Sequence, residues 1–290
     1  MRPFDSARID LDADLVHALA AEPGGETALP AGFAADLAAA VDRHVRKGPG
    51  FLVLAGFERL AEQEDRLRRA FLAASRLFGE LSPQNGRGEL LREVRDRGTR
   101  IGEGRTARYS DSRFGGSLHT DGAEAPLPVP EYFALLCVRQ AARGGALQVI
   151  HVRDLTERLA RRPGVLDTLR GPFHFDRRGD ESPGEGPTTP KPVLFDDGEG
   201  GLGVTYLRQY IEAGHAHPGV PGLTAAQSAA LDALDELLAD PSLITEDVQR
   251  PGELVLFDNH RLLHGRTEFT DHTDADRSRL LFRTWIRRAA

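Results

Sequence analysis

Apolar residues in the first quarter of the chain recur at helical spacing. Residues 31–47 are rich in Ala and run into Gly48-Pro49-Gly50, which predicts a helix that ends there. Residues 51–54 form a short apolar run typical of a strand. A longer helix is predicted over residues 58–79, because its large apolar side chains follow the helical period: Leu60, Leu67, Phe71, Leu72, Leu77 and Phe78. Residues 1–80 are therefore expected to form a mostly helical N-terminal support.

From residue 131 onwards, the apolar runs are short and typical of strands. Gly144-Gly145 predicts a tight turn between the first two runs. Thr224 and Gln227 are the capping-box pair of an inserted helix predicted over about residues 224–239. Helices and strands do not alternate here, so a parallel doubly wound sheet is not expected. The predicted strands cover residues 131–139, 146–152, 253–257 and 280–286.

The pattern predicts a mainly β fold with flanking helices, an antiparallel jelly-roll or cupin-like barrel. We expect one domain over residues 1–290, with the barrel over residues 119–290. Residues 81–118 follow neither period and are rich in Gly, Arg and polar residues. A loop of that length is uncommon unless it is functional, so we predict that this segment is an active-site lid.

Composition narrows the class of protein. The net charge of −7 argues against general nucleic-acid binding, and no apolar run approaches the length of a membrane span. The N-terminus carries acidic residues at once, which is not expected of a signal peptide. The single cysteine, Cys137, lies in an apolar run and is expected to be a buried thiol rather than a nucleophile. These features predict a cytoplasmic protein that acts on a small molecule.

Two histidines and one aspartate form a candidate metal site. In His119-Thr120-Asp121 the outer two residues are two positions apart, so on a strand they project from the same face. His264 follows the strand predicted at 253–257, and Gly265 after it allows close backbone approach. Two nitrogens and one oxygen on one face of an ion leave the other face open, as in non-haem Fe(II) oxygenases.

The sequence resembles the TauD/TfdA family of Fe(II)- and 2-oxoglutarate-dependent dioxygenases, which share a double-stranded β-helix. The resemblance covers about residues 50–288 and is carried by four segments: residues 117–122, 135–139 with Gly144-Gly145, 257–266 and 279–285. It implies that His119, Asp121 and His264 bind iron, with 2-oxoglutarate and O2 as co-substrates. Related halogenases lack the carboxylate ligand, so the presence of Asp121 favours oxygen chemistry.

The resemblance also implies an arginine on the last strand for the distal carboxylate of 2-oxoglutarate. Guanidinium matches a carboxylate with two parallel hydrogen bonds. Arg283 is the favoured residue, and Arg279, which shares its face of the predicted strand, is the alternative. In the family, a Thr or Ser after the Gly-Gly pair often hydrogen-bonds the co-substrate, but Ala146 follows here. That contact is then lost or supplied by Gln148.

Other histidines offer alternatives to this site. His260 lies four residues before His264 and could pair with it on zinc if the segment were helical, although the Glu of a His-Glu-x-x-His motif is missing. His215 and His217 could form a second metal site, although the simpler interpretation is that both are surface histidines. His151 and His174 are expected to be hydrogen-bonded barrel residues.

Substrate contacts are expected at the mouth of the site. The segment 92–113 contains seven arginines, which are ordinarily a solvated face but lie here in the predicted lid. Glu124 is a candidate for an amine or guanidine group of a substrate. The remaining candidates are Arg108, Arg113, Arg208, Gln84 and Asn85.

Together these features predict hydroxylation of an unactivated C–H bond in a small polar substrate, such as an amino acid or a specialised-metabolite intermediate, with release of succinate and CO2. Desaturation, cyclisation or epimerisation would use the same iron site. A cupin-like metal enzyme that does not use 2-oxoglutarate, and a barrel without catalytic function, are the contrasting hypotheses. An intact triad together with an arginine on the last strand argues against both.

Overall fold

The computed structural model describes residues 2–21, 29–99, 108–116, 118–179, 181 and 184–288. The helices in these ranges are α1 (Ala13–Leu19), α2 (Phe33–Val41), α3 (Glu64–Arg76), α4 (Val152–Leu159), α5 (Val165–Arg170), α6 (Arg208–His215) and α7 (Ala225–Leu238). A π-helical turn, Asp42–Arg46, follows α2, and 3₁₀ turns cover Pro3–Ala7, Phe57–Leu60, Tyr109–Asp111 and Ala275–Arg277. None of these helices is long and apolar enough to cross a membrane.

The strands in the same ranges are short, apart from the two eight-residue strands β5 and β16. They are β1 (Arg8–Asp10), β2 (Phe51–Ala55), β3 (Glu80–Ser82), β4 (Arg92–Val94), β5 (Tyr132–Arg139), β6 (Arg143–Gly144), β7 (Leu147–His151), β8 (Pro172–Asp176), β9 (Thr188–Pro192), β10 (Leu194–Asp196), β11 (Leu202–Val204), β12 (Thr245–Asp247), β13 (Leu254–Asp258), β14 (Leu262–Arg266), β15 (Phe269–Thr270) and β16 (Leu280–Arg287).

Two sheets enclose the barrel interior. The larger sheet has the order β1-β2-β13-β5-β16-β3, with β4 also paired to β16. The smaller sheet has the order β12-β7-β14. Their facing side chains, among them Phe133, Val255 and Leu147, form one apolar cluster. The metal-site residue His264 lies on β14, on the wall formed by the smaller sheet.

The large sheet is apolar on both faces, which explains its continuous apolar runs. On β13, Val255 and Phe257 face the barrel interior, whereas Leu254 and Leu256 face the cluster that contains α1–α3. Alternation along a strand sends successive side chains to opposite faces, so a sheet covered on both sides needs apolar residues throughout. The N-terminal helices therefore cover the outer face, as the sequence predicts. A third cluster packs α4–α7 against the β8–β9 hairpin.

The segment 81–118 differs from an unbroken loop. Within it, β4 pairs with β16 and places Arg92 opposite Arg283, while the end of β3 pairs Ser82 with Trp285. Strands of three residues are too short for alternation to reveal them in the sequence. The lid predicted from sequence is thus tied to the sheet at several points.

Candidate metal centre

Backbone pairing brings His119 and His264 together. Each donates its N–H to the carbonyl of the other, at 2.9 Å from His119 and 2.8 Å from His264, as an isolated antiparallel bridge. His264 is held in turn by β7, where it lies opposite Val149. The two imidazole rings lie 4.5 Å apart. Residues separated by 145 positions are therefore aligned by main-chain hydrogen bonds rather than by side-chain packing alone.

Asn259 fixes the backbone of Asp121. Its side-chain oxygen accepts from the Asp121 N–H at 2.9 Å, and its amide group donates to the carbonyls of Asp121 and Pro130, both at 2.9 Å. Asn259 is fully buried. Neighbouring Thr120 is held by Tyr206 through backbone and hydroxyl hydrogen bonds. The short His119–Asp121 segment thus has a defined conformation without belonging to a long strand.

The ligand atoms of His119, Asp121 and His264 all lie within 4.8 Å of one another. His264 Nε2 lies 3.9 Å from Asp121 Oδ1. No other group of three such side chains occurs in the described part of the chain. Metal–ligand bonds of about 2.1 Å at right angles place ligand atoms about 3 Å apart, so metal binding would draw these three side chains closer together.

The donor set fits a divalent metal. Burial and, after it, the neighbouring His119 lower the pKa of His264 to about 3, so the imidazole is neutral. Its Nδ1 is buried without a hydrogen-bond partner among the described residues. Burial pushes the pKa of Asp121 upward, but Arg283, the two histidines and Trp285 together hold it below its usual value. Neutral imidazole and ionised carboxylate are the forms that bind metal.

Both carboxylate oxygens of Asp121 are hydrogen-bonded from β16. Trp285 Nε1 donates to Oδ2 at 2.8 Å, and Arg283 Nη1 donates to Oδ1 at 2.8 Å. Arg283 Nε also donates to Gln84 Oε1 at 2.8 Å, and Gln84 Nε2 donates to the Arg283 carbonyl at 2.8 Å. Gln84, a candidate substrate contact from the sequence, thus orients this arginine.

Two cavities meet at the metal centre. The inner cavity, of about 70 Å³, is lined by Val94, Tyr109, Ser110, Gly116, His119, Phe133, Leu135, Leu147, His264, Gly265, Arg266, Arg279, Leu281 and Arg283. The outer cavity, of about 40 Å³, is lined by Arg108, Tyr109, Ser110, His119, Thr120, Asp121, Gly122, Glu124, Leu207, Tyr210, Arg283 and Trp285. His119 and Arg283 border both. An ion held by the triad would therefore be accessible from two sides.

Arg279 is a buried cation on the inner cavity. Its side chain is 2% exposed, and its Nε donates to Gln140 Oε1 at 3.1 Å. Its Nη1 is buried without a hydrogen-bond partner among the described residues. Burial lowers its pKa to about 10, which leaves the guanidinium charged at neutral pH. A Cβ on Gly145 would come within 3.1 Å of Nε, so glycine at that turn leaves room for the arginine.

The remaining predicted site residues divide between the outer cavity and the surface. Arg108 and Glu124 form an ion pair of 3.0 Å in the outer cavity. Gln148 donates to the exposed Glu246 at 2.7 Å and lines neither cavity. Arg208 is paired with Glu212, Asp232 and Asp235, and the half-exposed Arg113 lies 4.0 Å from Asp96. Asn85 caps its own turn, where its side chain accepts from Arg87 N–H.

The histidines considered as alternatives are hydrogen-bonded at places away from the triad. His260 contacts the Val129 carbonyl at 3.0 Å. His215 accepts from the His174 N–H at 3.1 Å, and His217 contacts Asp176 Oδ2 at 2.6 Å. His151 caps α4 by accepting from a backbone N–H. The thiol of Cys137 is buried, which raises its pKa to about 12.

Comparison with known proteins identifies the family. The sequence model of the taurine catabolism dioxygenase TauD, TfdA family matches residues 12–285, and the chain belongs to this family. FR-33289 synthase of Streptomyces rubellomurinus (strain ATCC 31215) is 30% identical over 213 residues, which is 72% of this chain and 60% of that protein. A uridine-5'-phosphate dioxygenase of Streptomyces sp is 31% identical over 170 residues, 57% of this chain and 59% of that protein. The chain thus spans about three fifths of the length of these relatives.

Solved structures with the same fold confirm the predicted barrel. Asparagine oxygenase, in complex with Fe(II), 2S,3S-3-hydroxyasparagine and succinate, superposes with a TM-score of 0.74 at 24% identity, over 97% of this chain and 93% of that one. The non-heme iron oxygenase OrfP, in complex with Fe, succinate and (3S)-hydroxy-L-Arg, gives a TM-score of 0.69 at 17% identity, over 97% and 94%. The fold is therefore the double-stranded β-helix of this family, with its helices on the outside.

Proposed function

We propose that this chain is an Fe(II)- and 2-oxoglutarate-dependent oxygenase that hydroxylates a small polar substrate. His119, Asp121 and His264 are the proposed iron ligands, and 2-oxoglutarate and O2 the co-substrates. The observation that carries the proposal is a buried two-histidine, one-carboxylate cluster bordered by a cavity with a charged arginine on its wall. Membership of the family supports the same reaction class. Iron held on one face supplies the oxygen activation that side chains alone lack.

Arg279, rather than Arg283, which the sequence favours, is the proposed anchor of the distal carboxylate of 2-oxoglutarate. Arg283 already donates to Asp121 and Gln84. Arg279 has a buried Nη1 with no partner among the described residues, and a buried guanidinium needs a counter-charge. Arg266 lies nearby and adds positive charge to the same cavity. A dicarboxylate bound here would accept a hydrogen bond from Arg279 Nη1 and would supply the counter-charge to the buried guanidinium.

The surrounding side chains have distinct tasks in this proposal. Trp285 and Arg283 hold the Asp121 carboxylate by its two oxygens and so fix its orientation toward the metal. Phe133, Leu135 and Leu147 give the inner cavity apolar walls that exclude water. Exclusion of water confines the reaction to the substrate presented at the outer cavity.

The outer cavity favours a zwitterionic substrate, such as an amino acid. Arg108 and Glu124 form an ion pair there, and a substrate with one carboxylate and one ammonium could replace each partner without changing the net charge. The two structural neighbours support this class, since they were solved with hydroxylated asparagine and hydroxylated arginine.

Succinate formation tests the reaction class. The purified protein is incubated with 2-oxoglutarate, Fe(II), ascorbate and air, alone and with each member of an amino-acid panel. We expect slow succinate formation alone and faster formation with a substrate, whose mass rises by one oxygen atom. Loss of two hydrogens would indicate desaturation or cyclisation, and an unchanged mass epimerisation. If His119→Ala still forms succinate, the proposed ligands are wrong. If the wild type forms no succinate, a metal protein that does not use 2-oxoglutarate is favoured.

Two matched variants test the anchor. Arg279→Gln removes a buried charge that the proposal pairs with 2-oxoglutarate, and such losses cost about 3 kcal/mol, or roughly 100-fold in affinity. We expect that weakening in the Mn(II)-loaded protein by calorimetry, and a smaller effect from Arg283→Gln. A larger loss of affinity in Arg283→Gln than in Arg279→Gln would identify Arg283 as the anchor.

A further inference from the structure

Tyr109 has no role in the proposed chemistry, yet it lies at the centre of the site. Its ring is stacked on the imidazole of His119, with centroids 4.8 Å apart and planes inclined by 20°. It lines both the inner and the outer cavity. The ring therefore borders both the space proposed for 2-oxoglutarate and the space proposed for substrate.

Gly116 shapes the position of this ring. A Cβ built on Gly116 would overlap the Cε1 and Cδ1 atoms of Tyr109. The tyrosine ring is thus in close contact with backbone on one side and with a proposed metal ligand on another. Only glycine at position 116 allows both contacts at once.

The segment that carries the ring, residues 109–114, is fastened to β4 at its first half. Arg92 Nε donates to Ser110 Oγ at 2.9 Å, and Arg92 Nη2 donates to Asp111 Oδ2 at 2.7 Å. Backbone hydrogen bonds from Arg95 and Arg97 to the carbonyls of Ser110 and Asp111 add to these. The base of the tyrosine is therefore fixed relative to the large sheet.

Arg266 fastens the second half of the same segment. Its guanidinium donates to the carbonyls of Ser112 at 2.6 Å, Arg113 at 3.0 Å and Phe114 at 3.0 Å, and to its own neighbour Thr267 at 2.9 Å. Arg266 is two residues beyond His264 on β14 and also lines the inner cavity. One side chain therefore joins the tyrosine segment, the metal strand and the inner cavity.

We infer that Tyr109 is a positioning residue whose ring forms the wall between the two cavities, so that 2-oxoglutarate and substrate meet only across the metal. The inference rests on the proposed function. The wall keeps water of the outer cavity away from bound 2-oxoglutarate and keeps each ligand in its own cavity. Removing the ring would join the cavities, whereas removing only the hydroxyl would leave the wall in place.

Three variants of the full chain test this role. Tyr109→Ala deletes the wall, and Tyr109→Phe retains the ring. Phe114→Ala is the control, because Phe114 belongs to the same segment but its ring lines neither cavity. The affinity of each Mn(II)-loaded protein for 2-oxoglutarate is measured by calorimetry, and the Fe(II)-loaded proteins are assayed for succinate without substrate. Since an aromatic contact contributes about 0.5–1.5 kcal/mol, we expect Tyr109→Ala to weaken binding by up to roughly tenfold. We also expect it to raise substrate-independent succinate formation, with the other two variants like the wild type.

Two results would overturn the inference. If Tyr109→Ala binds 2-oxoglutarate and forms succinate like the wild type, the ring is not a wall. If Tyr109→Phe fails as fully as Tyr109→Ala, the hydroxyl rather than the ring is responsible. A wild-type protein that binds no 2-oxoglutarate and forms no succinate would overturn the proposed function itself, and the inference with it.

Discussion

At the scale of single residues, Asp121 is held at its backbone and at both oxygens of its carboxylate. Asn259 fixes its backbone, Trp285 holds one carboxylate oxygen and Arg283 the other. Such outer contacts orient a ligand before metal arrives and are often worth as much as a factor of 10 to 100 in metal affinity. The Asp121 side chain therefore loses its conformational entropy when the protein folds rather than when the metal binds.

Trp285→Phe should weaken metal binding without removing the ring from the wall of the outer cavity. The substitution deletes the Nε1 donor to Asp121 Oδ2, so the carboxylate gains freedom. We expect the dissociation constant for Mn(II), measured by titration, to rise about tenfold. Unchanged metal affinity would mean that Arg283 and Asn259 suffice to orient Asp121.

The sequence predicts His119, Asp121 and His264 because ligand chemistry restricts which residue types can serve. Tyr109 and Asn259 could not be predicted, since their roles arise from contacts with residues distant in sequence. Trp285 shares a strand face with Arg283 in the sequence pattern, but its hydrogen bond to Asp121 depends on how β16 packs. The proposed preference for Arg279 over Arg283 has the same origin, because alternation puts both on one face. Only packing shows that Arg283 donates to Asp121, whereas Arg279 has a buried Nη1 without a partner among the described residues.

At the scale of elements, the site depends on the connection between β14 and the 109–114 segment. Arg266 makes three hydrogen bonds to carbonyls of that segment, and the Phe269 N–H donates to the Arg113 carbonyl at 3.1 Å. Burial lowers the pKa of Arg266 to about 10, so it remains charged at neutral pH. The planar guanidinium can reach several carbonyls at once, which a lysine ammonium cannot do with the same geometry.

Arg266→Lys should loosen the segment while keeping the charge. We expect amide hydrogen exchange in peptides that cover residues 109–114 to become faster, with exchange in β5 unchanged as the internal control. Equal protection in variant and wild type would show that Arg92 and the backbone hydrogen bonds hold the segment by themselves.

β13 and α7 are close to their predicted bounds. The helix predicted over residues 58–79 is shorter, since α3 covers Glu64–Arg76, and α5 and α6 were not predicted. β3 and β4 were also missed. They add to the edge of β16, and their pairing rather than their composition defines them.

At the scale of the whole molecule, the large sheet separates two environments. Its outer face is covered by the N-terminal helices, and its inner face meets the smaller sheet. The short apolar runs and the absence of βαβ order were enough to predict a mainly β barrel with helices beside it. The approach of β14 to His119 was not predictable in detail, because it depends on the register between β7 and β14.

Stability should depend on pH through Asp258, at the end of β13. Burial raises its pKa to about 7, against an ordinary value of 3.8. Between about pH 4 and pH 7 the folded state therefore holds a proton that the unfolded state releases, and its contribution to stability is lost as pH rises through 7. Asp258→Asn keeps a side-chain oxygen for the backbone N–H groups of His260 and Arg261.

We expect this substitution to stabilise the protein more at pH 7 than at pH 5, by about 2 kcal/mol in the free energy of unfolding. Urea denaturation of both proteins at the two pH values gives the comparison. A difference between variant and wild type that does not change with pH would assign the pH dependence to other groups.

The central claim is that the triad and Arg279 together bind iron and 2-oxoglutarate. Anaerobic titration of the Fe(II)-loaded protein with 2-oxoglutarate tests it most directly, because chelation of a 2-oxo acid to Fe(II) produces a visible charge-transfer absorption. We expect this absorption to appear and saturate in the wild type, to be absent in His264→Ala, and to require far more 2-oxoglutarate in Arg279→Gln. A wild-type protein that holds one Fe(II) but gives no such absorption at any 2-oxoglutarate concentration would contradict the account.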